Sequence, residues 1–152
     1  MNTIVFYDSF FGNTKAIAFE IGKQLGEDVP VIDIKLYTYN GFDELERIII
    51  GSPTRAFRPT KDIMQLMKNM KLLKNKVEVS VFDTRIHIIE KDPFLLRKLE
   101  KYFGYANDTM IKKLKKNKNV TLKTSMAFYV DETEGPVSLN EMDKVSEFIN
   151  LM

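Results

Sequence analysis

The chain alternates short apolar runs with amphipathic helical patterns, and this alternation constrains its fold more than any other feature. Ile4-Val5-Phe6-Tyr7 is a β-rich run ending in Asp8-Ser9. Beyond Gly12-Asn13-Thr14 the apolar residues fall at Ala16, Ile17, Phe19, Ile21 and Leu25, a helical spacing that should stop near Gly26. Val29–Leu36 reads as a second strand before the turn-rich Tyr39-Asn40-Gly41. Ile48-Ile49-Ile50-Gly51 is apolar throughout, as a strand covered on both faces would be. Ile63, Met64, Leu66, Met67 and Met70 predict a helix, and Val77, Val79, Val81 and Phe82 a fourth strand ending at Asp83-Thr84. Two helical patterns, over roughly 93–104 and 106–117, precede a last strand over Val120–Val130 with a break near Lys123–Ser125. A closing helix is expected over Leu139–Leu151, capped by Asn140 or Ser138.

Apolar strands alternating with helices predict a parallel sheet with helices on both faces, because parallel strands need crossover connections and those connections cover the sheet. The 152 residues suit a single domain, and neither a linker nor a repeat divides them. The absence of cysteine excludes disulfides, Fe–S ligation, a thiol nucleophile and every Cys-based zinc site. Redox chemistry in such a chain has to come from a bound cofactor. His87 is the only imidazole, and a lone histidine is a poor basis for a metal site. The N-terminus lacks the basic segment and apolar run of a signal peptide, and no stretch approaches the ~18 apolar residues of a membrane span. A soluble, cytoplasmic protein is expected.

A parallel sheet of this kind binds ligands beyond the carboxyl ends of its strands. After strand one comes Ser9-Phe10-Phe11-Gly12-Asn13-Thr14, then a helix. Backbone N–H groups, hydroxyls and a helix N-terminus together suit a phosphate. The plain alternative is a capped helix, with Asn13 or Thr14 as the cap. Neither a Gly-Lys-Ser/Thr motif nor G-x-G-x-x-G occurs here. After strand three comes Gly51-Ser52-Pro53-Thr54-Arg55-Ala56-Phe57, and after strand four Asp83-Thr84-Arg85-Ile86-His87.

These three loops together resemble the flavodoxin family, whose members bind flavin mononucleotide (FMN) at corresponding places. The likeness covers nearly the whole chain and is closest to small flavodoxin-like proteins carrying F-D-T-R and T-E-G-P segments, here Phe82–Arg85 and Thr133–Pro136. The resemblance implies a flavodoxin-like three-layer α/β sandwich whose five-stranded parallel sheet has the order 2-1-3-4-5. It implies that Ser9, Gly12, Asn13 and Thr14 hold the FMN phosphate with the backbone of Phe10 and Phe11. Ser52, Pro53 and Thr54 would border the ribityl chain and ring, Arg55, Ala56 and Phe57 would lie along the ring, and Asp83, Thr84 and Arg85 would form the opposite wall. Read singly, Asp83 is as good a turn or cap residue and Arg85 as good a surface ion pair.

The chain departs from the family pattern in four places. Phe11 replaces a hydroxyl residue in the phosphate loop, which removes one donor. No glycine lies between Thr54 and Pro59, so any residue driven there to φ > 0 carries a Cβ that resists it at a cost of ~1 kcal/mol or somewhat more. The strand-four loop has no Tyr or Trp to stack on a ring, leaving His87 or Phe94 as substitutes and Phe57 to cover the other face. An extra amphipathic helix within Ile86–Tyr105 lies where a lid or docking surface would be built, or else packs on the sheet.

The resemblance implies an FMN-binding electron carrier exchanging electrons with redox partner proteins. An FMN-dependent reductase or oxidase of the same fold is the first alternative, and a flavin-free interaction module the second. Charge adds a distinction. Residues 1–60 carry six basic and eight acidic side chains, residues 61–123 sixteen and seven, and residues 124–152 one and six. A solvated lysine face explains the basic middle most simply and an acidic protein partner next. Nucleic acid is not expected, because no aromatic interleaves Lys112–Lys118 to stack bases.

Overall fold

The computed structural model describes residues 1–88 and 91–152. Five strands, β1 (Thr3–Tyr7), β2 (Val31–Asp33), β3 (Arg47–Pro53), β4 (Val77–Ile86) and β5 (Val120–Val130), form one parallel sheet in the order β2-β1-β3-β4-β5. Between and after them run α1 (Asn13–Leu25), α2 (Lys61–Asn69), α3 (Phe94–Phe103), α4 (Ala106–Leu114) and α5 (Lys144–Asn150).

The strand side chains divide between two cores because successive residues point to opposite faces of a sheet. Ile48 and Ile50 join Phe6, Val79 and Val81 beneath α2 and α4, where Ile63, Leu66, Met110 and Leu114 cover them. Ile49 joins Val5, Phe82 and Phe128 on the other face, beneath Ile17 and Ile21 of α1 and Val145 and Phe148 of α5. Each such side chain, removed from water, contributes about 1.5–3 kcal/mol, which makes these two layers the main stabilising feature of the fold. Phe82, Phe128 and Phe148 meet edge to face at 5.8–6.3 Å between ring centroids. Gly51 lies against the ring of Phe82, in space that a Cβ would need.

Three elements differ from the reading of the sequence. Strand β2 is confined to Val31–Asp33, because a 3-10 turn at Ile34–Leu36, held by the Asp33 carboxylate on the Lys35 N–H, takes the rest of the apolar run. The break expected near Lys123–Ser125 is a bulge: β5 advances from Leu122 to Ser125 while β4 advances from Val79 to Val81, and pairing then resumes. Helix α5 starts at Lys144, and neither Ser138 nor Asn140 caps it. The Ser138 hydroxyl donates to Asp131, and Asn140 takes a left-handed turn at φ 66°.

Candidate functional site

Helix α1 covers one face of the sheet and α2 the other, so the connections leaving β1 and β3 part in opposite directions and open a crevice between them. The turn after β1 is closed by the Gly12 N–H donating to Ser9 Oγ at 3.0 Å. Gly12, at φ 91°, is the residue preceding α1 and has no side chain to cap it. Asn13 and Thr14 do not cap it either. Asn13 Nδ2 donates to the Glu134 carbonyl at 3.1 Å, and Thr14 Oγ1 pairs with Thr84 Oγ1 at 2.7 Å. The N-terminus of α1 therefore faces the crevice without a side-chain acceptor, a place where backbone N–H groups and helix dipole both favour an anion.

Asn13 also fixes the T-E-G-P segment. Gly135 sits at φ 102° against the Asn13 amide, where a Cβ would clash, and the Gly135–Pro136 peptide is cis. Thr133 thereby joins the crevice wall.

Among the sequence candidates, the structure brings Ser9, Phe10, Phe11, Asn13, Thr14, Pro53, Thr54, Arg55, Thr84 and Arg85 around this one cleft, with Ile86, Val130 and Thr133. The others stand apart from its lining. Ser52 is buried, its hydroxyl accepting from the Thr60 N–H at 3.1 Å, so it fixes the end of β3 to the start of α2. Ala56 and Phe57 form the tip of a two-residue hairpin, with Arg55 and Arg58 exchanging backbone hydrogen bonds at 2.8 and 2.9 Å. Both tip residues are left-handed, at φ 46° and 64°, so the strain expected of a glycine-free loop is present. The hairpin turns Arg55 back over the phenylalanines, its guanidinium 4.7 Å from the Phe10 ring centre and 5.8 Å from that of Phe11. His87 is exposed and packs edge-on against Tyr129.

Asp83 lies within β4, fully buried. Its carboxylate takes two bonds from Arg85, at 2.7 and 2.8 Å, one from the Asn107 N–H at 2.9 Å and one from Thr54 Oγ1 at 3.2 Å. Thr54 Oγ1 in turn accepts from the Ala106 N–H. Two of the orphan donors at the start of α4 are thus satisfied from β3 and β4, which makes Asp83 a helix cap supplied from a neighbouring strand. Burial raises the Asp83 carboxyl above its ordinary range, against the opposing pull of Arg85, the Asn107 amide and Thr54. Arg85 is gripped from its other side by Tyr105, whose ring centre lies 3.8 Å from the guanidinium carbon. Burial, with Glu100 second, pushes the Tyr105 phenol up to about 12.

Several of these residues escaped the sequence reading. Asn107 and Tyr105 carry no local signal, since their partners lie on β4. Thr60, which caps α2 by accepting from the Ile63 N–H, had one, a hydroxyl residue directly before the helical pattern. The pairing of Asp8 with Lys35 was also missed: Asp8 is fully buried at the end of β1, and Lys35 Nζ lies 2.6 Å from its Oδ1 and 4.7 Å from the Phe10 ring centre.

Helix α3 does not pack on the sheet. None of its residues is buried, and Phe94 and Tyr102 are 72% and 82% exposed.

No protein-family model matches the chain, and no curated protein is similar to it in sequence. Its fold does have matches among solved structures. Oxidised flavodoxin 1 from Bacillus cereus superposes with a TM-score of 0.69 at 17% identity, over 99% of this chain and 98% of that one. This is the flavodoxin fold. A flavodoxin from the domain Archaea matches at TM-score 0.61 and 19% identity, over 99% of this chain and 96% of that one. The flavodiiron protein from Giardia intestinalis matches at TM-score 0.68 and 11% identity, and there the chain spans 34% of the longer protein. Within the flavodoxin fold the crevice described above is the switch point between β1 and β3, where the strand order reverses.

Proposed function

We propose that the chain binds FMN in the crevice between β1, β3 and β4 and carries electrons between redox partner proteins. The observation that carries this reading is the uncapped N-terminus of α1 opening into a cleft lined by all three strand-end loops. The phosphate end fits: Ser9, Asn13, Thr14 and the first-turn amides of α1 would hold it. The cleft itself encloses only about 70 Å³, so a ring system would lie towards its mouth, where the exposed side chains of Phe11, Arg55 and Ile86 stand. A bound flavin supplies the electron-transfer chemistry, while the chain supplies position and field. Arg85 is the fixed charge of that field, since Asp83 and Tyr105 hold its guanidinium at the cleft wall.

The small enclosed volume favours a second reading, a flavin-free interaction module. One titration separates the two. FMN fluorescence should be quenched with one-to-one stoichiometry on addition of the apoprotein, and riboflavin, lacking the phosphate, should bind more weakly. If excess FMN keeps its free fluorescence, the flavin reading is wrong and the interaction module stands.

A further inference from the structure

Beside the cleft lies a larger cavity, a groove of about 1300 Å³ running from Phe10 and Arg55 along α2 to the end of α4. Its floor is apolar, made by the half-buried Met64 and the buried Met67 and Leu114. Its rims are cationic. Lys61, Lys68 and Lys71 stand on the α2 side, Lys113, Lys116 and Lys118 on the α4 side, and among the described residues none of these six forms an ion pair. The acidic residues of the groove are Asp62 and the buried, Lys35-paired Asp8.

Helix ends account for part of this charge. Lys113 sits in the last turn of α4 and Lys68 in the last turn of α2, where a cation complements the dipole. Lys61 opens α2, the end where a cation is disfavoured, Lys71 lies in the 3-10 turn Met70–Leu72 that follows α2, and Lys116 and Lys118 lie beyond α4. Concentrating unpaired like charge around one groove works against the compact state through self-repulsion, and an anionic occupant relieves it.

We infer that this groove is a docking site for an acidic amphipathic segment of a partner protein, its carboxylates on the two lysine rims and its apolar side chains on the methionine floor. The floor decides the class of partner. Flexible methionines accommodate aliphatic and aromatic side chains of varied shape. A nucleic acid strand would instead call for aromatic platforms along the groove, and among the described residues that line it Phe10, at one end, is the only aromatic. Because groove and cleft share Phe10 and Arg55, a segment seated in the groove ends beside the crevice. Occupancy of the groove does not require flavin, so its test is independent of the FMN titration.

The probe is a fluorescein-labelled peptide with Leu at helical spacing and Glu elsewhere, titrated with the full-length chain and read by anisotropy. Two comparison probes are an oligoglutamate of equal charge and a single-stranded DNA oligomer of equal charge. The Leu/Glu peptide should bind most tightly, and its affinity should fall as salt rises. The triple variant K68E/K71E/K113E should weaken it by about tenfold or more, while K15E/K23E on α1, on the opposite face, should leave it unchanged. K68Q/K71Q provides a milder variant should the triple reversal not fold. Met64→Ser should weaken the Leu/Glu peptide and leave oligoglutamate unaffected. Three results would overturn the proposal: no peptide binding, affinity indifferent to the rim substitutions, or DNA binding as tightly as the peptide.

Discussion

Ala56 and Phe57 occupy the two central positions of a tight hairpin turn that ordinarily selects Asn-Gly, and each carries a Cβ into left-handed backbone. The ends of this loop are held independently, by the β3 register at Pro53 and by Ser52 on the Thr60 N–H, so the turn pays the strain rather than the flanking elements. Ala56→Gly should therefore stabilise the protein by about 1 kcal/mol, a rise of roughly 2–4 °C in Tm for a chain of this size, measurable by calorimetry. Unchanged or lower stability would mean that the turn stores no such strain. Glu78 shows residue-level electrostatics at the opposite end of the strands, paired with Arg47 at the start of β3. Arg47 at 3.1 Å and Lys123 at 3.3 Å hold its carboxyl below the ordinary range, the Arg47 hydrogen bond being the larger cause. A carboxyl lowered by folding contributes stability that is present above its unfolded pKa and lost as pH falls through its folded value. E78Q should accordingly melt below the parent at neutral pH, and the difference should shrink on acidification through the carboxylate range. A gap independent of pH would exclude this origin.

At the scale of elements, α4 is anchored at its start by groups from elsewhere in the chain: the Ala106 amide to Thr54, the Asn107 amide to Asp83 and the Asn107 side chain to the Met126 carbonyl of β5. Asp83→Ala removes one of these partners and leaves the largely buried Arg85 guanidinium without its carboxylate. Loss of one member of a buried pair typically costs about 3–5 kcal/mol, and denaturant unfolding should register a fall of that order. A loss below about 1 kcal/mol would assign the pair to the surface class. Helix α3 is the contrasting element. Its stripe of Phe94, Leu95, Leu99, Tyr102 and Phe103 has helical spacing, yet no residue of it is buried. Amphipathic periodicity reports that a helix has an apolar face, not what that face meets.

At the scale of the molecule, the two cores and the sheet order place the uncapped end of α1 beside β3 and β4, and a basic groove beside that. Charge summed along the sequence located the basic middle segment but not its arrangement. Lysines of α2 and of the α4 end, separated by more than forty positions in the chain, become the two rims of one groove only because both helices cover the same face. Among the described residues no helix is long and apolar enough to cross a membrane.

The alternation of apolar runs and helices determined by itself the α/β class, the approximate elements and the loops that end at one edge of the sheet, because burial patterns of period two and 3.6 are written locally. Most of the residues that line the cleft were legible for the same reason, as strand ends and the loops after them, whereas Ile86, Val130 and Thr133 were not among the candidates. Only the tertiary structure decided that Asp83 caps α4 and clamps Arg85, that Ser52 braces α2, that His87 faces Tyr129, and that α3 stands clear of the sheet. Each of those outcomes depends on a partner distant in sequence, and a carboxylate or hydroxyl at a strand end has the same local signature whether it meets a ligand, a helix N–H or a guanidinium.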